Sequence, residues 1–202
     1  MNAATVSLWM ATGVSGAIKH AGGDQIEFAA IRQGPVPLGG AVVTPAGRLA
    51  ARAVIHAVSL DRDRRTSGPA IEAAVRSAMG RARDINATSI AFPALGTGVG
   101  GFPMEEAARI TVATVRDELP VSPSIQHVIF ALRGAAAYQA FAVALAATAQ
   151  GSSSGEDAAG HATANSSPDA SWAWPISRSG DTGEDETGPL GRPAAKPSGG
   201  PL

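Results

Sequence analysis

The sequence feature with the clearest chemical meaning is a glycine-rich loop between two predicted elements. Residues 89–103 read SIAFPALGTGVGGFP, in which an apolar, strand-like run leads into four glycines among six residues and then into a proline. Glycine allows backbone N–H groups to approach an anion closely, and the N-terminus of a following helix adds partial positive charge. The segment therefore predicts a phosphate-binding loop, called loop 2 below, whose candidate contacts are Gly96, Thr97, Gly98, Val99, Gly100, Gly101 and Phe102.

A second candidate loop lies near the start of the chain. Residues 2–18 read NAATVSLWMATGVSGAI, and we expect a loop here that ends where a helix begins at Gly13. The first N–H groups of a helix have no intrahelical partner and can bind a phosphate oxygen. The candidate contacts of this segment, called loop 1 below, are Gly13, Val14, Ser15 and Gly16. Two such loops in one small domain predict a diphosphate ligand.

Loop 2 leaves two other interpretations open. Gly96, Gly98 and Gly101 match the GxGxxG pattern of dinucleotide-binding Rossmann domains, in which an acidic residue after the next strand binds a ribose. Here the pattern lies late in the chain, and the next predicted strand ends at Leu132 and Arg133 without such a residue. A glycine-rich turn that binds no ligand is the other alternative.

Three further features have structural interpretations. His56 lies between Ile55 and Ala57 in an apolar run, which favours a hydrogen-bonded structural histidine over a catalytic one. Trp9, next to loop 1, either lines a cleft or packs in the core, and packing in the core is slightly favoured. The charged run at 62–65 is expected on a solvated loop, and the sequence assigns it no role.

Composition argues against several classes of protein. The 202 residues include no cysteine, which rules out disulfides, thiolate nucleophiles and cysteine-ligated zinc. The four histidines share no helical i, i+4 spacing, and we expect neither a metal nor a cofactor. A net charge of −1 gives no cationic field for nucleic acid, so no nucleic-acid preference is expected. The start of the chain does not resemble a leader, and no run of about 18 apolar residues occurs, so we expect a cytoplasmic protein without membrane contact.

Short apolar runs that alternate with helical patterns indicate a layered α/β domain. Strands are predicted at residues 40–44, 53–58, 89–95 and 127–132, and helices at residues 13–21, 24–32, 67–85, 103–119 and 135–149. Asp24 is predicted to cap the second helix, with Glu27 completing a capping box. Gly, Ser, Pro, Asp and Ala dominate residues 150–202, where the only apolar cluster is WAWPI at 172–176. We therefore expect one domain at 1–149 followed by a disordered tail.

Four segments in this order and spacing together resemble a macrodomain. They are NAA at 2–4, GVSGAI at 13–18, VIHAV at 54–58, and SIAFP with GTGV at 89–99. The resemblance covers residues 1–149 and implies a three-layer α/β/α sandwich around a mixed sheet. It further implies ADP-ribose in a cleft at the strand ends, with the diphosphate between loop 1 and loop 2. Macrodomains usually begin with a further strand and an aspartate before NAA, so the first strand is expected to be missing here.

The resemblance also implies individual roles and departures. Asn2, which begins the motif, and Arg133, at the position where an aromatic often stacks on adenine, are counted among the ligand contacts. Gly100 stands where an aromatic commonly lies against the distal ribose. Members that hydrolyse ADP-ribosyl bonds carry asparagine and an acidic residue at the positions of Thr5 and Ser15, and a hydroxyl is no general base at neutral pH without an activating partner.

These observations predict a binding module without catalytic residues, whose partner is ADP-ribose or an ADP-ribosylated protein. One alternative is an enzyme of the same fold, either an ADP-ribosyl hydrolase or an O-acetyl-ADP-ribose deacetylase. The other is a degenerate macrodomain that binds no ligand.

Overall fold

The computed structural model describes residues 1–150, and the predicted tail with its WAWPI cluster lies outside this range. The strands are β1 (Asn2–Thr5), β2 (Ala41–Pro45), β3 (Ala53–Leu60), β4 (Ser89–Phe92) and β5 (His127–Phe130). The helices are α1 (Gly13–Gly22), α2 (Gln25–Ile31), α3 (Gly68–Asp84), α4 (Met104–Glu118) and α5 (Ala135–Gln150). Every helix and strand predicted from the sequence is present, with ends that differ by a few residues.

The strands form a three-stranded mixed sheet and an adjacent parallel pair. β3 is central in the mixed sheet, where it pairs in parallel with β1 and antiparallel with β2. β4 pairs in parallel with β5. The α-ammonium group of Met1 donates to the backbone oxygen of Ala91 at 2.5 Å, so the start of β1 lies beside β4. The middle layer therefore runs β2, β3, β1, β4, β5.

Alternation along β3 distributes its side chains between two helical layers, as the pleat of a strand requires. Ile55 and Ala57 pack with the buried face of α3, while Val54 and Val58 pack with residues of α2 and of the segment before α1. Helix α4 packs between α3 and α5. The architecture is the three-layer α/β/α sandwich with a mixed sheet that was expected.

Helix α3 shows how local sequence builds one of these layers. Ser67 lies at the N-cap, where its hydroxyl accepts from the backbone N–H of Ala70 at 3.3 Å, and Pro69 lies in the first turn. The stripe predicted from helical spacing is fully buried; its members are Ile71, Val75, Ala78, Met79 and Ala82.

Two local expectations were wrong. Residues 2–5 were expected in a loop, yet they form β1, whose pairing with β3 and contact with β4 override the weak local signal. The capping box at α2 does not form, because Asp24 has a helical backbone and its side chain makes no capping bond. Glu27, its expected partner, is instead 3% exposed and bonds elsewhere.

Within residues 1–150, no helix combines the length and the apolar character that a membrane span requires.

Candidate ligand-binding cleft

A cleft of about 970 Å³ lies at the carboxyl ends of the strands. Its walls come from the segments that follow β1, β3, β4 and β5, together with the first turn of α1. The parallel pairings of β1 with β3 and of β4 with β5 bring these segments to one edge of the middle layer. In open α/β sheets, ligands bind at this edge.

Most of the contacts predicted from the sequence line this cleft, and four do not. Those in the wall are Gly13, Val14, Ser15, Gly96, Thr97, Gly98, Val99, Gly100 and Arg133. Asn2, Gly16, Gly101 and Phe102 are outside it. Asn2 is only 1% exposed and belongs to the core beneath loop 1, while Phe102 packs against the cluster around α3.

Loop 2 presents a row of unpaired backbone donors. Among the described residues, no acceptor is found for the N–H groups of Thr97, Gly98, Val99 and Gly100. Behind this row the loop is closed by hydrogen bonds from Gly101 N to Gly98 O (3.1 Å) and from Phe102 N to Gly96 O (3.0 Å). Successive unpaired N–H groups in such a turn form a concavity suited to an anion.

Glycine is required at parts of loop 2 and merely tolerated at others. Gly96 has a φ of +75°, and a Cβ there would lie 2.9 Å from Cδ1 of Ile71. At Gly100 a Cβ would lie 2.7 Å from the backbone oxygen of Gly96 and 2.7 Å from Cδ2 of Leu60, so this site has no room for the aromatic that the resemblance implies there. A Cβ at Gly98 would meet no atom within 4 Å.

Loop 1 presents a second set of unpaired donors at the start of α1. Thr12, the N-cap residue, has an extended backbone and makes no side-chain capping bond. The first backbone bond of the helix runs from Gly16 N to Thr12 O at 3.1 Å. Within residues 1–150 there is consequently no acceptor for the N–H groups of Gly13, Val14 and Ser15. The helix dipole adds positive potential at the same place.

A buried chain of hydrogen bonds lies beneath loop 1. The Ser15 hydroxyl lies 2.8 Å from Oδ1 of Asn2, to which it donates, and 2.9 Å from the backbone oxygen of Ala3. Asn2 Nδ2 lies 3.1 Å from His56 Nδ1, and His56 Nε2 lies 2.9 Å from Thr44 Oγ1. The chain connects α1 to β1, β3 and β2, so the sheet itself positions loop 1.

The contacts of His56 define its protonation. Because the Asn2 amide nitrogen only donates, Nδ1 accepts, and the ring proton is on Nε2, where it is donated to Thr44. Burial, with a smaller contribution from the ammonium group of Met1, lowers the pKa of His56 from 6.5 to about 4. His56 is therefore neutral at physiological pH, and the prediction of a hydrogen-bonded structural histidine is confirmed.

An ion pair between the partly exposed Lys19 and the buried Glu27 anchors the segment that leads into loop 1. Glu27 accepts from the backbone N–H of Met10 at 2.7 Å and from Lys19 Nζ at 2.5 Å. Burial alone would raise the pKa of Glu27, but the hydrogen bonds from Lys19 and Met10 outweigh it and lower this pKa. Helix α2 thus holds residue 10, two positions before the N-cap of α1.

The wall residues that the sequence did not assign to the site include Trp9, Arg62 and Arg64. Trp9, expected in the core, is 63% exposed and lines the cleft, because the buried side chains of this segment are its neighbours Leu8 and Met10. Arg62 and Arg64 lie on an exposed loop as expected, but that loop forms part of the wall. The two arginines carry no local signal for this position, because only the parallel pairing of β1 and β3 brings the end of β3 to this edge.

The charged residues of the wall are all cationic. Arg62 and Arg64 follow β3, and Arg133 follows β5. No aspartate or glutamate of the described residues belongs to the wall. The cleft is therefore suited to an anionic ligand.

The hydroxyl groups at the cleft have no base beside them. Thr5 Oγ1 lies 3.0 Å from Ser7 Oγ, and both residues line the cleft. Ser15 is 7% exposed, and its hydroxyl is engaged by Asn2 and Ala3. No carboxylate or imidazole among the described residues contacts either Thr5 or Ser15.

Comparison with known proteins identifies related sequences. The family model described as Macro domain matches residues 1–111. A macro domain-containing protein of Streptomyces griseus is 42% identical over 156 residues, covering 72% of this chain and 85% of that protein. An uncharacterized protein of Mycobacterium tuberculosis strain H37Rv is 43% identical over 146 residues and 72% of this chain. The match covers only 40% of that mycobacterial protein's length.

Solved structures share the fold. A mutant macrodomain of Oceanobacillus iheyensis with ADPR superposes with a TM-score of 0.67 at 27% identity, covering 74% of this chain and 84% of that one. The Trypanosoma brucei macrodomain in complex with ADP-ribose gives a TM-score of 0.66 at 25% identity, covering 71% of this chain and 61% of that one.

The Rossmann alternative is excluded by these findings, because the fold, the family model and the relatives agree on another family. The chain belongs to the macrodomain family.

Proposed function

We propose that the cleft binds ADP-ribose or an ADP-ribosyl group, with the diphosphate held between loop 1 and loop 2. The observation that carries this proposal is the pair of unpaired donor rows, at 13–15 and 97–100, on segments of one cleft. Each row alone is suited to a phosphate oxygen, and together they match a group that carries two phosphates.

The rest of the cleft supports a nucleotide of this size. Its volume of about 970 Å³ lies at the upper end of the usual range for small-ligand sites. Trp9 offers an exposed aromatic face in the wall, and Arg133, after β5, offers a planar guanidinium group. Both can stack on a base. The solved relatives with ADPR and ADP-ribose support the same class of ligand.

Binding rather than hydrolysis is favoured by the groups at the terminal-ribose end. Among the described residues, the side-chain hydroxyl of Thr5 is hydrogen-bonded only to that of Ser7, and the hydroxyl of Ser15 is committed to the buried chain with Asn2. Hydrolysis of an ADP-ribosyl bond needs a group that activates water, and a neutral hydroxyl without a basic partner does not supply one.

Calorimetric titration of the full chain with ADP-ribose tests the proposal, with AMP and ribose 5-phosphate as comparison ligands that each carry one phosphate. We expect saturable binding of ADP-ribose and at least about tenfold weaker binding of either fragment, since each occupies one donor row. Equal affinity for AMP and ADP-ribose would contradict the diphosphate site. No heat with any ligand, from protein whose circular dichroism spectrum is that of a folded α/β domain, would favour the degenerate macrodomain.

A further inference from the structure

Two neighbouring arginines of the cleft wall have side chains without a binding partner among the described residues. Arg62 and Arg64 are exposed, and neither forms an ion pair or a side-chain hydrogen bond with any described residue. Some cations of the domain are engaged, as Arg76 is by Glu72 and Glu118. Arg133 and Arg32, like Arg62 and Arg64, have no such partner among the described residues, and what distinguishes Arg62 and Arg64 is that they lie together in one turn at the cleft wall. Two free guanidinium groups at a cleft without carboxylates are available to an external anion.

The loop that carries these arginines is held in a defined shape. Asp61 Oδ1 accepts from the backbone N–H groups of Asp63 (2.9 Å) and Arg65 (2.8 Å), and Asp61 N donates to Arg65 O at 3.0 Å. Arg64 adopts a φ of +61°, a conformation that a side-chain-bearing residue seldom takes without external constraint. The turn thus fixes the backbone from which both side chains project.

The turn that carries Arg62 and Arg64 lies at the opposite end of the cleft from Arg133. A Cβ at Gly100 would lie 2.7 Å from Leu60 and 3.1 Å from Thr66, the residues that flank the arginine turn, so the turn adjoins loop 2 at Gly100. Arg133 follows β5, which is three strands away from β3 in the middle layer. At roughly 5 Å per strand spacing, the two cationic positions are on the order of 15 Å apart. The donor rows of loop 1 and loop 2 lie between them.

We propose that Arg62 and Arg64 bind carboxylate side chains that neighbour the modified residue of an ADP-ribosylated protein. This inference rests on the proposed function, because the donor rows already accommodate the diphosphate and leave the arginines for another anion. Gly100 is the position at which the family resemblance puts the distal ribose, the end through which an ADP-ribosyl group is attached to protein. The arginines, exposed at that end of the cleft, face the peptide on either side of the attachment.

The test uses the full chain and two synthetic serine-ADP-ribosylated peptides that differ only in having two glutamates or two glutamines beside the modified serine. Affinities for both peptides and for free ADP-ribose are measured by calorimetry at low and at physiological salt. We expect about three- to tenfold tighter binding of the glutamate peptide at low salt, and a smaller ratio at higher salt, since exposed charge pairs are weak and screened.

Variants of single arginines and of the pair test which side chains cause the preference for the glutamate peptide. In the double variant Arg62→Gln/Arg64→Gln, the ratio between the two peptides should fall to about one. Arg32→Gln removes the same charge from an exposed arginine that lies outside the cleft wall, and it should retain the ratio. Loss of the ratio in Arg133→Gln instead would place the peptide at the opposite end and overturn the proposal.

The same measurements distinguish failure of this inference from failure of the proposed function. Equal affinity of the wild-type chain for both peptides, together with binding of free ADP-ribose, would overturn this inference and leave the proposed function intact. A third outcome is that the two peptides bind equally, while ADP-ribose with a phosphate on its terminal ribose binds more tightly than ADP-ribose itself and loses this advantage in Arg62→Gln/Arg64→Gln. That outcome would overturn the protein partner in favour of a small phosphorylated ligand. Failure to bind free ADP-ribose or either peptide would remove the proposed function and this inference together.

Discussion

Asn2 Nδ2 lies 3.1 Å from His56 Nδ1, so a side-chain hydrogen bond joins the first strand to the central strand beneath the cleft. Asn2 was expected to contact the ligand, but its carboxamide is occupied by His56 on one side and Ser15 on the other. Both residues lie at the same register of the parallel pair β1–β3. The backbone of loop 1 is therefore held from the core, where a side chain of β1 reaches the first turn of α1.

Replacing Ser15 with alanine should destabilise the domain. Oδ1 of the buried Asn2 would lose the donor that satisfies it, at a cost of about 1–3 kcal/mol. Ser7→Ala removes the same hydroxyl at an exposed position and should change the free energy of unfolding by less than about 0.5 kcal/mol. Urea denaturation of both variants measures this difference, and equal stability would show that the Ser15–Asn2 bond contributes nothing.

The low pKa of His56 predicts a stability that falls in mild acid. The unfolded chain takes up the imidazole proton near pH 6.5, whereas the folded chain does so only near pH 4, so between these values the unfolded state holds more protons. The stabilisation is complete above pH 6.5 and is lost as the pH falls toward 4, by roughly 3 kcal/mol in total.

Denaturation at a series of pH values, with His56→Gln for comparison, isolates this contribution. Glutamine cannot titrate, so the variant should be less stable at pH 7 but should lose less stability between pH 6.5 and 4. Identical pH dependence in the two proteins would mean that other groups cause the acid sensitivity.

The Lys19–Glu27 pair should show energetic coupling, because Glu27 is buried and also holds the backbone of Met10. A double-mutant cycle with Lys19→Met and Glu27→Gln should give a favourable coupling energy that exceeds that of a fully exposed pair, because the carboxylate of Glu27 is buried. The exposed Arg81–Asp84 pair serves as the control, with an expected coupling below about 0.5 kcal/mol. Equal coupling in the two cycles would contradict a special role for burial at Glu27.

Thr5→Ala should change ADP-ribose affinity by less than about twofold, because backbone donors rather than this hydroxyl carry the proposed recognition. Titration with ADP-ribose and an assay of ADP-ribosyl-peptide hydrolysis are made on the same preparations. Hydrolysis by the wild-type chain that disappears in Thr5→Ala while binding persists would establish the enzyme alternative.

The sequence predicted the helices, four of the strands and both glycine-rich loops because each has a strong local signal. Helical spacing marks the buried face of α3, and the glycines of loop 2 mark a turn with a positive φ at Gly96. β1 has no such signal, since four residues of mixed polarity become a strand only through pairing with β3.

Side-chain positions that depend on tertiary pairing could not be predicted in the same way. Trp9 and Met10 are adjacent apolar residues, yet Trp9 lines the cleft while Met10 is buried, with its backbone N–H bonded to Glu27 of α2. Arg62 and Arg64 enter the wall only because β3 runs parallel to β1. Local patterns therefore located the loops, while strand pairing determined which other residues join them.

The most direct test of the account is to titrate Gly98→Glu and Gly80→Glu with ADP-ribose. A Cβ at Gly98 meets no atom within 4 Å, so the fold tolerates the change while a carboxylate enters the donor row of loop 2. Gly80 lies in α3 outside the cleft wall, where a Cβ comes no closer than 3.7 Å to another group, and it controls for the added charge. We predict that Gly98→Glu weakens binding at least about a hundredfold, which corresponds to about 2.7 kcal/mol of lost binding free energy. Gly80→Glu should bind ADP-ribose as the wild type does. Unchanged affinity in folded Gly98→Glu would contradict the claim that loop 2 holds the diphosphate.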